Sequence, residues 1–170
     1  MKKKNFPPDP YAAVIDHFNR HGVRYVVVGM SGINYYAKSV RDTFGTMDFD
    51  FFLDPSQTNV SKAIKILAAM KFSLGTPDGV LNLKQLKELV LTRRTIIATT
   101  SDGLMIELIL AISGYPFSEI AKDAVTFTVE GIPVHVGRLD KLLRSKRLAH
   151  RPKDRQFLKR YQSLLEEEKD

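Results

Sequence analysis

The stretch Thr46-Met47-Asp48-Phe49-Asp50-Phe51-Phe52-Leu53 sets two carboxylates two residues apart in a run that otherwise reads as a buried strand. Side chains alternate faces along a strand, so Asp48 and Asp50 share one face while Met47, Phe49, Phe51 and Leu53 take the other. Two like charges on one face of an apolar strand repel each other and lose hydration. A divalent cation held by their oxygens relieves both penalties, and a substrate phosphate can complete its shell. The spacing therefore points to metal-assisted chemistry on a phosphate.

A third carboxylate follows in Leu104-Met105-Ile106-Glu107-Leu108-Ile109-Leu110, where Glu107 is the one charge in an apolar strand. A buried, unpartnered glutamate is expensive. It can be met by a salt bridge to Arg93, Arg94 or the basic C-terminal segment. Alternatively Glu107 joins Asp48 and Asp50 from a neighbouring strand in a three-carboxylate site. Such a cluster can hold two Mg²⁺ ions, one on a triphosphate and one lowering the pKa of an attacking hydroxyl.

Several elements must position these groups. Asp9 as N-cap and Pro10 as first residue open a helix whose apolar stripe is Val14, Ile15 and Phe18 and which Gly22 ends. Arg24 to Val28 reads as a buried strand, Gly29 to Gly32 as a turn, and Ile33 to Ala37 as the start of a helix. Val60 to Met70 has helical periodicity. From Phe72 to Leu91 the glycines and Pro77 mark loops, with a short helix near Leu83 to Leu89. Ser101-Asp102-Gly103 between two β-rich runs signals a hairpin. A short helix over Pro116 to Ala121 precedes strands at Ala124 to Val129 and Ile132 to Val136 around Glu130-Gly131. Two basic helices, Leu139 to His150 and Lys153 to Leu165, break at Arg151-Pro152.

This order predicts an α+β (mixed α/β) fold: a small mixed β-sheet covered on one side, with helices packed on it and basic C-terminal helices. Residues 1–10 read as a basic, proline-containing arm, 11–165 as a single domain and 166–170 as an acidic tail. No Rossmann glycine fingerprint or Walker A motif is present.

The 170 residues carry a net charge of +7 and no cysteine, which removes disulfides, thiol nucleophiles and Cys-type zinc sites. No apolar run approaches a membrane span, and the basic N-terminus lacks the apolar core of a secretory signal, so a cytoplasmic protein without a membrane partner is expected. His17, His21, His135 and His150 read as surface or loop histidines. Between Arg138 and Arg160 ten Lys or Arg face two Asp, so that segment is +8 and the remainder −1. The basicity sits in one place, either as a solvated helix face or as a surface that meets phosphates. Arg41, Arg93 and Arg94 carry no signal beyond ordinary surface charge.

Val26-Val27-Val28-Gly29-Met30-Ser31, the Asp48-Phe49-Asp50 strand and Glu107 in a third strand together resemble the nucleotidyltransferase superfamily related to DNA polymerase β. The ending Leu139-Asp140-Lys141-Leu142-Leu143-Arg144-Ser145-Lys146, followed by Arg151-Pro152-Lys153-Asp154, is similar to the small AbiEii-type toxin, or minimal nucleotidyltransferase, branch. The resemblance runs from about Arg24 to Leu158. It implies that Gly29 brings its backbone to a triphosphate and that Ser31 is the second small residue near phosphate, with Met30 where Gly or Ser is usual. It implies Asp48 and Asp50 as the metal-binding pair and Glu107 at a third acidic position more often held by Asp. Lys146 would contact the nucleotide, and Asp154 matches the acidic residue of the last motif.

The activity implied is transfer of a nucleoside monophosphate from an NTP to a hydroxyl with Mg²⁺ or Mn²⁺. The acceptor would be an RNA 3′ end such as tRNA, a protein side chain or a small molecule, in a possible toxin–antitoxin setting. The alternative is a catalytically degenerate member that binds nucleotide or nucleic acid. A plain basic RNA- or DNA-binding module ranks last, because it leaves three strand carboxylates unexplained.

Overall fold

The computed structural model describes residues 9–39, 42–46 and 48–167. In chain order its elements are α1 (Ala12–Arg20), β1 (Tyr25–Val27), α2 (Gly29–Asn34), β2 (Phe49–Leu53), α3 (Gln57–Ala69), β3 (Ser73–Thr76) and β4 (Gly79–Val80). There follow α4 (Leu86–Leu91), β5 (Ile96–Thr99), β6 (Met105–Ile109), α5 (Phe117–Ala121), β7 (Val125–Val129), β8 (Ile132–Val136), α6 (Leu139–Ala149) and α7 (Pro152–Glu167). The class is α+β, as the order of elements predicts. The basic arm expected over residues 1–10 lies outside the described residues up to position 8. Residues 166 and 167, expected in an acidic tail, belong to α7.

The strands form one mixed sheet in the order β4-β3-β5-β6-β2-β1-β8-β7. It has eight strands, and β3 and β4 form around a turn at Pro77-Asp78 where the glycines suggested loop. It is covered on both sides and not on one. Phe51 and Phe52 point to opposite faces. Phe51 meets Phe18 of α1 at 5.0 Å between ring centroids, and Phe52 meets Phe117 of α5 at 5.5 Å. All four rings are buried. Burying an aromatic side chain of this kind contributes about 1.5–3 kcal/mol. One continuous apolar cluster joins Val14 in α1 to Phe157 in α7.

Three local details move element boundaries. Asp9 Oδ1 accepts from Tyr11 N–H at 2.9 Å, so Asp9 closes a turn and α1 begins at Ala12 rather than at Pro10. Ser56 Oγ accepts from Asn59 N–H and caps α3, which starts at Gln57, earlier than the apolar periodicity indicates. The helix after β1 spans Gly29–Asn34, not the segment from Ile33 onward. A Cβ on Gly32 would stand 2.9 Å from the Val27 carbonyl oxygen, so a helix this close to the sheet needs glycine there. Among the described residues no helix is long and apolar enough to cross a membrane.

Candidate metal centre

β2 and β6 are parallel neighbours whose register sets Asp50 opposite Glu107. The flanking pairs Phe49–Ile106 and Phe51–Leu108 face the core, and all four are buried. This alternation pins the register, because a slip of one residue would drive the carboxylates into the core and the aromatics out. Asp48 lies immediately before β2. Its carbonyl oxygen accepts from Ser31 Oγ at 3.1 Å and from Thr46 Oγ1 at 2.9 Å, and Thr46 Oγ1 also reaches Asp48 Oδ1 at 3.3 Å. Carboxylate oxygens of Asp48, Asp50 and Glu107 lie within 4.8 Å of one another.

The turn after β1 completes this wall. Val28 is extended and donates to the Asp50 carbonyl oxygen, and Gly29 turns the chain with φ +63°. A Cβ on Gly29 would overlap Asp50 Oδ2. The other oxygen, Asp50 Oδ1, is buried and has no hydrogen-bond partner among the described residues. A buried carboxylate oxygen without a donor is unusual in a folded protein. With two further carboxylates beside it, the donor set suits a hard divalent cation. Asp48, Asp50 and Glu107 therefore fit Mg²⁺ or Mn²⁺.

The electrostatics agree with the geometry. Burial pushes the Asp50 carboxyl up to about 8, and the charges of Asp48 and Glu107 add to the rise. Burial also raises Glu107, to about 7, with hydrogen bonding to Asp48 next in weight. Of the salt-bridge partners considered for Glu107, Arg93 donates to the carbonyls of Pro55 and Val90 and Arg94 pairs with Asp78, while the basic segment acts on it through the charge of Lys153. Arg41 lies outside the described residues.

No protein-family model matches the sequence, and no curated protein matches it significantly.

The carboxylates form one wall of a cleft of about 650 Å³, and α6 with the start of α7 forms the other. Lys146 and Asp154 both line it. Lys146 Nζ stands 3.4 Å from Asp154 Oδ1, and Arg151 Nε donates to Asp154 Oδ2 at 2.7 Å. Asp154 is 1% exposed, so it serves as the buried partner of two cations. Although burial alone would raise it, the Arg151 and Lys146 contacts hold its carboxyl below its ordinary value. Burial lowers the Lys146 ammonium. The positive charges of Lys146 and Lys153 reach Asp50, and that of Lys153 also reaches Glu107.

The structure thus gathers Gly29, Asp48, Asp50, Glu107, Lys146 and Asp154 around one cleft. Ser31 is placed differently. Its hydroxyl donates to the Asp48 carbonyl oxygen and accepts from Asp50 N–H, so it braces the strand from behind and does not line the cleft. Sequence reasoning did not single out Arg151, Lys153 or Thr46 as site groups. The basic run contains the first two, but which of its ten cations face the cleft depends on the angle between α6 and α7, which charge counting does not reveal.

Proposed function

We propose that the chain is a divalent-cation-dependent nucleotidyltransferase, moving a nucleoside monophosphate from a nucleoside triphosphate to a hydroxyl. The observation that carries this reading is Asp50 Oδ1, a buried oxygen without a donor among the described residues, flanked by two carboxylates across a cleft from Lys146 and Lys153. Mg²⁺ or Mn²⁺, when bound, supplies a Lewis acid for phosphoryl oxygens and neutralises the three acids. Asp48 and Asp50 would hold it. Gly29 leaves room for a phosphate to approach the backbone beside them.

Glu107, opposite Asp50 on the neighbouring strand, is placed to take the proton of the acceptor hydroxyl. The acceptor oxygen bonds to the α-phosphorus as the bond from that phosphorus to its bridging oxygen breaks, and pyrophosphate leaves. Its growing negative charge faces Lys146 and Lys153, while Asp154 fixes Lys146 and Arg151 in place. The +8 segment over 138–160 favours an anionic acceptor such as an RNA 3′ end over a neutral small molecule.

Met30 favours a second reading, a member that binds nucleotide without turning it over. Met30 lines the cleft next to Gly29, at a position where the resembled family has Gly or Ser. Calorimetry with each NTP and Mg²⁺ or Mn²⁺, on the wild type and on Asp48→Asn/Asp50→Asn, tests the shared claim. Binding that needs both metal and carboxylates is the expected result, and binding indifferent to both refutes it. Transfer of label from α-labelled NTPs to total RNA, with release of unlabelled pyrophosphate, separates the enzyme from the binding protein.

A further inference from the structure

Phe44 lies outside every helix and strand, yet it is 7% exposed. One side chain clasps its backbone. Asn34 Nδ2 donates to the Phe44 carbonyl oxygen at 2.9 Å, and Phe44 N–H donates to Asn34 Oδ1 at 2.8 Å. Asn34 is the last residue of α2, the helix that begins at Gly29. The Phe44 ring reaches across to α7, meeting Phe157 edge-on at 4.7 Å and Tyr161 at 6.2 Å, with the Arg160 guanidinium 5.2 Å from its centre. Phe157 in turn lies 5.0 Å from Lys146 Nζ. Two residues after Phe44, Thr46 holds Asp48.

The two walls of the cleft come from different layers, with carboxylates on the sheet and cations on α6 and α7. Among the described residues α7 packs mainly on α6. Its buried aromatic face reaches the carboxylate wall through Phe44. We propose that Phe44 is a positioning residue, a latch that ties α7 to the wall carrying Asp48 and so fixes the width of the cleft. Its consequence for nucleotide binding rests on the nucleotidyltransferase reading, whereas the latch is a property of the fold. A phosphate bridging metal and lysine tolerates little change in that width, since a displacement of about 1 Å can reduce activity by about a hundredfold.

Two measurements on wild type, Phe44→Ala and Phe44→Leu test the latch. In the first, amide hydrogen exchange is followed peptide by peptide. Phe44→Ala is expected to speed exchange in α7 and around residues 42–46 while α1 and α3 keep wild-type protection, and Phe44→Leu is expected to restore α7. Unchanged exchange in α7 of the alanine variant overturns the proposal. If Phe44→Ala loses protection throughout, Asn34→Ala, which unclasps the same loop, carries the test with the same two outcomes.

In the second, Mn²⁺ alone and then Mn²⁺ with each ribonucleoside triphosphate is titrated. The alanine variant should bind Mn²⁺ within about twofold of wild type but the triphosphate about tenfold or more weakly, with leucine restoring it. Equal losses in both titrations, or none in either, refute a positioning role. A wild type that binds Mn²⁺ but no triphosphate sinks the nucleotidyltransferase reading, and the exchange experiment then decides the latch alone.

Discussion

The Asp50 carboxylate fills the space that a Cβ on Gly29 would need. Gly29→Ala must therefore displace Asp50 as well as hold an L residue at φ +63°, which by itself costs about 1–2 kcal/mol. The expected outcome is a lower Tm and a loss of Mn²⁺ affinity of about tenfold or more, read by a paramagnetic Mn²⁺ titration. Wild-type Mn²⁺ affinity in this variant would show that Asp50 is not held as a ligand by the turn.

Asp50→Asn separates stability from function. Removing a charge that is buried beside Asp48 and Glu107 should raise metal-free stability at pH 8 by about 1–3 kcal/mol in a denaturant melt. The same change should abolish the stabilisation that Mg²⁺ or Mn²⁺ gives the wild type. A destabilised Asp50→Asn protein would mean that the carboxylate has a structural partner.

The metal-free protein should lose stability as pH rises from 5 to 8. Folding lifts Asp50 to about 8 and Glu107 to about 7, so in this window the folded chain holds protons that the unfolded chain has released. Stability then declines with pH, being fully present below the unfolded carboxylate values and lost as pH passes the folded ones. Asp154 and Asp140, whose folded values are lowered, act in the opposite direction but at more acid pH. Thermal melts at intervals across the window should show the decline, a larger rescue by Mg²⁺ at pH 8 than at pH 5, and a flattened profile in Asp50→Asn. A flat wild-type profile without metal would contradict the assignment.

Asp154→Ala should destabilise the protein by about 2–3 kcal/mol, because it strips a buried partner from Lys146 and Arg151. The same variant should weaken triphosphate binding more than Mn²⁺ binding, since the three carboxylates are untouched. Calorimetric titrations of both probes check this, and equal weakening of the two would point to general unfolding of the site.

Much of this was legible in the chain. The Asp102-Gly103 and Glu130-Gly131 turns sit between β-rich runs, and both hairpins form in the expected places. The carboxylate triad was legible because a charge in the middle of an apolar strand has few physical solutions. What escaped depends on tertiary contact. Gly29-Met30-Ser31-Gly32 has poor helix propensity and reads as a turn, but packing of Gly32 against Val27 and Leu142 makes it a helix. Ser73 to Val80 lacks a strand pattern and pairs because β5 offers it an edge. Phe44 gave no signal at all, since its role depends on a helix more than a hundred residues further along.

The late placement of α6 and α7 also orders the synthesis of the two walls. During synthesis Asp48, Asp50 and Glu107 leave the ribosome before Lys146, Arg151 and Lys153. The acidic half of the cleft is thus made without its counter-charge, and a nascent chain lacks the groups that neutralise a polyphosphate. On the proposed reading, polyphosphate binding therefore waits for the closing helices.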